Sequence, residues 1–327
     1  MRVVFYTRQG EARDVLNLGD RPIPDPGPGE VCVCVRFSGV NPSDCKSRRG
    51  GGRELFAPMI IPHSDGAGVI DAVGQGVDPS RMGERVWIWN GQWQRAFGTA
   101  AEWIALPAAQ AVPLPATLNE AEGACLGIPA LTAMHAVRKA GAQHGQTVLV
   151  AGGAGSVGHY AIQMAKARGA CVIATASTAS KAAHARAAGA DLVLDYRRED
   201  IVGGIQEITE GRGVDSIIEV DLAANAVSYP SVLASHGKVI AYGMTGSEVS
   251  LPALRMKQKG ITLTLFRIYD ITEPERAGAL EELAFFLRNK SLKHTIALRL
   301  PLERVAEAHE AVERGEVFGR VLLDLQA

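Results

Sequence analysis

The chain has 327 residues, 47% hydrophobic and 21% charged, enough for two domains that each bury a core. With 34 Lys and Arg against 35 Asp and Glu, the net charge is −1, so no charge excess points to nucleic acid or a membrane surface as primary partner. The opening MRVVFYTRQGEARDVL meets charge too soon for a secretory leader, and no stretch approaches the roughly 18 apolar residues of a membrane helix, so a cytoplasmic protein is expected.

Up to about residue 120, short strands alternate with turns rich in Gly and Pro. Pro22–Gly29 leads into a strand over Val31–Phe37, and further strands are expected at Gly68–Val73 and Glu84–Ile88. Together they predict a partly open β-barrel. Cys32 and Cys34 share one face of the first of these strands. No Cys or His cluster completes the four ligands zinc wants, and five cysteines without C-x-x-C argue against a disulfide framework. No metal site is expected.

From about Leu118 strand and helix alternate. Strands are expected at Thr147–Ala151, Cys171–Thr175, Leu192–Leu194, Val214–Glu219, Lys238–Tyr242 and Thr262–Phe266, with helices such as Ser156–Arg168 and Ser180–Ala188 between them. That rhythm predicts a doubly wound parallel sheet. Helices over Glu273–Asn289 and Leu302–Arg314 follow. The closing strand, Gly319–Leu325, alternates in a way that fits the β domain better. The fold class is therefore α/β. A cofactor domain, 121–294, is inserted between two pieces of a β domain, 1–120 and 295–327.

The segment TVLVAGGAGSVGHYAIQMAK carries the main functional signal. Gly153, Gly155 and Gly158 form G-x-G-x-x-G directly after an apolar strand and at the start of an amphipathic helix, the context that a dinucleotide site requires. Gly153 permits the tight turn, Gly155 lets backbone approach a pyrophosphate, and Gly158 lets helix pack on strand. The N–H groups around Ser156, Val157 and Gly158 then face the phosphates. The same residues resemble a hydrolase nucleophile elbow, with Ser156 as nucleophile and Asp215, His236 or His309 as partners. An elbow follows several strands of its own sheet, which this segment does not.

The end of the second parallel strand reads on cofactor choice. NAD sites place Asp or Glu there for the ribose 2′-OH. This chain has Ala176, Ser177 and then Lys181. A carboxylate would repel a 2′-phosphate, whereas a hydroxyl and an ammonium hold it. NADP(H) is the expected cofactor.

Six segments, in order over nearly the whole chain, resemble the zinc-independent quinone oxidoreductase (zeta-crystallin-like) branch of the medium-chain dehydrogenase/reductase superfamily. They are GVNPSDCK (39–46), DGAGVIDAVGQGV (65–77), GERVW (83–87), LGIPALTAMHA (126–136), AGGAGSVG (151–158) and FGRVLL (318–323). The resemblance implies a GroES-like catalytic domain, an inserted Rossmann domain and a cleft between them. It also implies a homodimer paired near Thr262–Phe266. Zinc-dependent relatives carry Cys where this chain has Asn41, His-Glu where it has Ser64-Asp65, and a third ligand near Ile128. Their structural-zinc loop of four cysteines is missing as well. His63, one place off the ligand position, reads as a polar or packing residue.

Without zinc, hydride delivery suits an electron-poor acceptor such as a quinone or a conjugated carbonyl. Asn41 and Ser64 are the expected catalytic hydrogen-bond donors, Asn41 also as a cofactor contact, with capping of the following helix as its other reading. The resemblance carries Lys181 and Tyr196 to the 2′-phosphate and adenine. It puts Thr132 beside the nicotinamide, Tyr242 and Gly243 at the switch point, Phe266 at the carboxamide and Arg320 at the phosphates. Lys46 stands where many relatives have Tyr. The basic run Lys46, Arg48, Arg49 and Arg53 reads either as a preference for polar acceptors or as a solvated loop. Trp87, Trp89 and Trp93 either cover the cleft or fill the β-domain core. The expected activity is NADPH-dependent reduction of a quinone. An enone or alkenal double-bond reductase is the enzymatic alternative, and a regulatory NADPH-binding protein with little turnover is the non-enzymatic one.

Overall fold

Alternating short strands build one part of the chain, and apolar strands separated by helices build the other. In the computed structural model, which describes residues 1–50, 55–315 and 317–326, the chain divides into two compact units: Met1–Ile128 with His294–Ala327, and Pro129–Lys293. In chain order the strands are β1 (Arg2–Phe5), β2 (Asn17–Asp20), β3 (Glu30–Val40), β4 (Asp65–Val73), β5 (Arg85–Ile88), β6 (Trp103–Pro107), β7 (Ala111–Pro113), β8 (Thr147–Val150), β9 (Cys171–Ala176), β10 (Leu192–Asp195), β11 (Val214–Glu219), β12 (Leu233–Ala241), β13 (Thr262–Leu265), β14 (Ile296–Pro301) and β15 (Arg320–Asp324). The helices that position functional residues are α1 (Pro42–Arg49), α2 (Leu131–Ala140), α3 (Ser156–Ala167), α4 (Ala179–Ala187), α5 (Glu273–Arg288) and α6 (Val305–Arg314).

In the first unit the long strand β3 pairs antiparallel with β4, β6 and β15, and the sheet runs β14-β15-β3-β4-β5-β7. The closing strand therefore lies in this unit, at a register of Val321 opposite Val40 and Asp324 opposite Phe37. Inward residues of β3, β4, β5 and β15 such as Val33, Ile70, Ile88 and Leu323 form the core with Leu300, Leu302 and Ala308. Trp87 and Trp89 are buried here, which places both inside the unit. The unit runs on to Ile128, later than the expected border near 120, because the Ile128 N–H donates to Asp65 Oδ1 at 2.7 Å.

In the second unit all strand pairs are parallel and the order is β10-β9-β8-β11-β12-β13. Renumbered from β8, this is 3-2-1-4-5-6, the doubly wound order that binds dinucleotides where the order reverses. The reversal lies between β8 and β11, and the glycine-rich turn follows β8. Leu149, Ile173, Ile217 and Val239 pack one face of the sheet against Leu222, Tyr229 and Val232. β13 is an edge strand, with the Leu265 side chain largely exposed. Among the described residues, no helix is long and apolar enough to cross a membrane.

Candidate functional site

The dinucleotide turn is built by close packing. Gly152 has φ +67°, in the left-handed region where glycine is favoured. Its N–H donates to Thr175 Oγ1 at 3.0 Å, and the Gly153 N–H donates to Thr175 O at 2.9 Å, so β9 fixes the turn. The sequence reading passed over Thr175. A Cβ on Gly153 would sit 2.8 Å from Ala174 Cβ, and one on Gly158 would sit 2.5 Å from Gly152 O. Gly155 differs: it is exposed, and its Cβ would meet only Gly152 O at 3.3 Å. It is the N-cap of α3, so the amides of Ser156, Val157 and Gly158 lie in the first turn, where helical N–H groups lack helical acceptors. The arrangement fits a pyrophosphate: open space at Gly155, a helix N-terminus aimed into it, and no Cβ in between.

The 2′-phosphate candidates lie at the end of β9. Ser177 is buried, and Thr178 caps α4 by accepting the Lys181 N–H at 3.2 Å. The Tyr196 N–H donates to Ala176 O at 3.1 Å, which brings the end of β10 beside Ser177. Tyr196 itself is exposed. Arg197 and Arg198 follow it and are both exposed. They were legible as a basic pair after the strand, yet sequence reasoning singled out Tyr196 alone. At the far side of the switch point, Tyr242 N–H donates to Glu219 O, and a Cβ on Gly243 would sit 2.2 Å from Val220 O. Glu219, another residue not anticipated, is 1% exposed and accepts from the Asp221 N–H, Asn225 Nδ2 and the Tyr229 hydroxyl. Burial raises its carboxyl above the usual range despite those donors. Phe266 N–H donates to Ala241 O at 3.1 Å, and its ring lies 4.6 Å from that of His135 on α2. Thr132, one turn earlier on α2, is buried.

The first unit holds a second constellation. Asn41 follows β3 and is the N-cap of α1, with φ −116° and ψ 155°, the extended shape a residue before Pro favours. Its backbone N–H donates to Asp44 Oδ2 at 2.8 Å. Its side chain takes part in a capping box with Asp44, as the capping reading expected, and reaches two further partners. Nδ2 donates to Asp65 Oδ2 at 2.9 Å, and Oδ1 accepts from Arg320 Nη1 at 2.8 Å. Arg320 Nη2 also donates to Asp65 Oδ2 at 2.9 Å, a pair with side chains 3% and 0% exposed. Burial pushes Asp65 up to about 6 against the pull of Arg320 and Asn41, and burial together with Asp65 pushes Asp44 up to about 7. Ser64 is buried beside them. Below this lies a neutral chain. Ser38 Oγ bonds both His63 Nδ1 and Thr99 Oγ1, and His63 Nε2 meets His309 Nε2 at 2.9 Å. Burial holds His63 well below the ordinary histidine range and His309 down to about 3. His63 is thus a packing residue.

Two expectations are corrected. Arg320 was placed at the cofactor phosphates, but it is buried on β15 with both terminal nitrogens held by Asn41 and Asp65. The basic run is not an open cationic mouth. Arg48 is fully buried, donating to Gly10 O and to Glu313 Oε1 at 2.5 Å, and Arg49 pairs with Glu11 and Glu313. Lys46 is exposed on α1, and Arg53 lies outside the described residues. The hydrolase reading finds no assembly. Asp215 is held by the Thr147 N–H and Arg212, His236 is on β12, and His309 is paired with His63 in the other unit. All five cysteines are free thiols, and among the described residues no three His, Cys, Asp or Glu gather as metal ligands.

Residues 27–116 match the family described as alcohol dehydrogenase GroES-like domain, and residues 156–284 that described as zinc-binding dehydrogenase. Quinone oxidoreductase of Homo sapiens is 32% identical over 319 residues, covering 95% of this chain and 94% of its own. A solved NAD-dependent alcohol dehydrogenase is 31% identical with a TM-score of 0.88, covering 99% of this chain and all, 100%, of its own. Escherichia coli quinone oxidoreductase complexed with NADPH is 28% identical with the same TM-score, 0.88, and the same coverage, 99% and 100%.

Proposed function

We propose a specific reaction from one premise: the chain belongs to the quinone oxidoreductase branch of the medium-chain dehydrogenase/reductase superfamily. It is an NADPH-dependent oxidoreductase of that branch, and the reaction is reduction of a quinone or conjugated carbonyl without a metal. Relatives named quinone oxidoreductase, one of them solved with NADPH, support the cofactor and the acceptor class. The observation that carries the metal-free part is the donor set. Where zinc-dependent relatives bring Cys and His-Glu, this chain brings an amide, Asn41, and Ser64-Asp65. Asp65 is already committed to Arg320 and to the Ile128 N–H. A carboxylate so engaged has no free charge to offer a cation.

Bound NADPH supplies the hydride. The first turn of α3 holds the pyrophosphate, with Gly155 leaving room for it. Ser177, Lys181 and Tyr196 hold the 2′-phosphate and adenine, and no carboxylate at the end of β9 repels them. Thr132, Tyr242, Gly243 and the backbone at Phe266 line the nicotinamide end. Asn41 and Ser64 donate hydrogen bonds to the acceptor oxygen as negative charge builds there. With no polarising cation, the chain contributes orientation and these donors, so acceptors that delocalise charge are favoured. The same reading has two copies pairing along the free edge of β13, which sedimentation velocity would register as a dimer.

The test is NADPH oxidation followed by nicotinamide absorbance, with EDTA present, against a simple quinone, an enone and NADH as alternative donor. Turnover with NADPH, weak turnover with NADH and indifference to EDTA are expected. Activity that appears only on adding zinc would overturn the metal-free reading. A better rate with the enone would transfer the assignment to double-bond reduction.

A further inference from the structure

Resting on the reading of the chain as an NADPH binder, we propose that Val220 is a cofactor-contact residue. Its methyl groups form an apolar floor under the nicotinamide-side ribose and the adjoining phosphate, opposite the glycine turn. In the 3-2-1-4-5-6 order each half of the sheet takes one mononucleotide, and the ligand lies outside the carboxyl ends of the strands where the order reverses. β8, β9 and β10 form the first half, which carries the 2′-phosphate candidates. Val220 is the first residue past β11, the strand that opens the second half across the reversal from β8. Its side chain lies against the glycine turn, since a Cβ on Gly152 would sit 3.1 Å from Val220 Cγ1. On its other side a Cβ on Gly243 would sit 2.2 Å from Val220 O. Val220 therefore stands between the turn after β8 and the loop after β12. Space is open beside it. Val220 is 41% exposed, although Ile217 and Ile218 just before it are buried at 1% and 0%. Gly155 in the glycine turn and Met244 in the loop after β12 are exposed too.

An exposed valine needs no explanation by itself. What sets this one apart is how firmly it is presented and what flanks it. The loops after β11 and β12 are clasped together: Tyr242 N–H donates to Glu219 O at 3.1 Å, and Leu222 N–H donates to Gly243 O at 3.1 Å. Thr245 adds its N–H to Asp221 Oδ1 at 2.9 Å and its hydroxyl to Asp221 Oδ2. Carboxylates stand on both sides of Val220, and either would repel a phosphate if it faced one. Both are occupied elsewhere. Glu219 is buried among the Asp221 N–H, Asn225 and Tyr229, and Asp221 is held by Thr245. The side chain left to the open space between them is uncharged, which suits the C–H face of a sugar beside an anionic group.

The test sets Val220→Asp beside Val220→Asn, which has the same shape and no charge. Binding of NADPH is compared with binding of adenosine 2′-monophosphate, which occupies the first half of the sheet alone. Val220→Asp should raise the Kd for NADPH by about tenfold or more, and Val220→Asn by about threefold at most. Both should bind adenosine 2′-monophosphate within about twofold of wild type, and high salt should shrink the Val220→Asp penalty by screening it. Val227→Asp, the same change at a valine 69% exposed on the same segment, should leave both ligands unaltered. Wild-type NADPH affinity in Val220→Asp would overturn the proposal. So would a parallel loss of both ligands, an equal loss in Val220→Asn, or the same loss in Val227→Asp. A wild-type chain that binds neither ligand would sink the NADPH reading instead, a separate failure. Should Val220→Asp not fold, the wild-type Val220 methyl signals decide by NMR, assigned by their loss in Val220→Asn. They should shift with NADPH and stay in place with adenosine 2′-monophosphate; methyl signals indifferent to NADPH would refute the contact.

Discussion

Two glycines in one turn separate folding from ligand binding. Gly155 has φ −72° and ψ 162°, a shape alanine adopts freely. Its added Cβ would meet one atom, Gly152 O, at 3.3 Å. The relief needed is a few tenths of an ångström, and the loss of unfolded-chain freedom offsets it by about 0.4–1 kcal/mol. Gly155→Ala should therefore melt within about 2 °C of wild type, taking roughly 2–4 °C per kcal/mol as the scale for larger domains. On the proposed placement of the cofactor, the methyl group nevertheless stands in the space where a pyrophosphate approaches the α3 amides. Displacing the phosphates by a fraction of an ångström should weaken NADPH and NADH alike by tenfold or more, about 1.4 kcal/mol.

Gly158→Ala is the contrast. Its Cβ would sit 2.5 Å from Gly152 O and 2.9 Å from Gly153 Cα, both backbone, against 3.4 Å for ordinary contact. Neither can rotate away, so helix and turn must part. Overpacking of this kind costs about 1–3 kcal/mol, which lowers the melting temperature by roughly 2–12 °C. Cofactor binding falls with it. The assay is a thermal melt beside a fluorescence titration with NADPH. Gly155→Ala protein that binds NADPH with wild-type affinity would refute the placement of the pyrophosphate, and Gly158→Ala protein with an unaltered melt would refute the packing argument.

Other outcomes follow from the charges. Lys181→Ala should raise the Kd for NADPH by about tenfold and leave NADH unmoved, since only the 2′-phosphate distinguishes them; equal weakening of both would place Lys181 elsewhere. For His309, the folded chain refuses a proton that the unfolded chain accepts below the ordinary 6.5, down to about 3 in the fold. Its contribution to stability is whole at neutral pH and falls as pH drops through that window, by up to about 1.4 kcal/mol per pH unit. Asp65 and Asp44, raised to about 6 and about 7, run the other way: their protonated forms favour the fold as pH falls from 7 toward 4. Melts of His309→Gln against wild type should therefore converge or cross between pH 7 and pH 4, and a constant difference would refute the neutral-pair description.

The second unit was legible because its signals are local. Val214–Glu219 follows Gly213 and carries Val214, Ile217 and Ile218, and the strand has those bounds. The Gly-x-Gly-x-x-Gly spacing acts through neighbours within a few residues, so its context could be checked in the sequence. Where chain geometry breaks, the reading stopped short. β12 begins at Leu233, not at Lys238, because its pairing with β11 shifts register there, around His236 with φ 61°. Likewise β3 continues past Phe37 through Ser38 and Gly39 to pair with β15, a partner some 280 residues away that no local pattern announces.

The Asn41 constellation was legible only as residue types. Asn41 and Asp65 are 24 residues apart, and Asp65 and Arg320 are 255 apart. Their meeting is a product of β3, β4 and β15 lying side by side, and no spacing encodes it. The sequence could say that a thiolate and an imidazole were missing, which bears on which metal chemistry is open. It could not say that a guanidinium lies against Asn41 and Asp65, and so Arg320 was assigned to the phosphates. The physical hint was present in the two glycines. Gly39 and Gly127 sit in segments with no turn that demands them, and neither has positive φ. A Cβ on Gly39 would meet Ala124 O and Arg320 Nη2, both at 2.6 Å, and one on Gly127 would meet Asp65 Oδ1 at 2.1 Å and Ile88 O at 2.8 Å, so backbone and charged side chains both come close there. Close approach was therefore legible at Gly39 and Gly127, but the identity of what approaches, Arg320 and Asp65 among backbone oxygens, needed the fold.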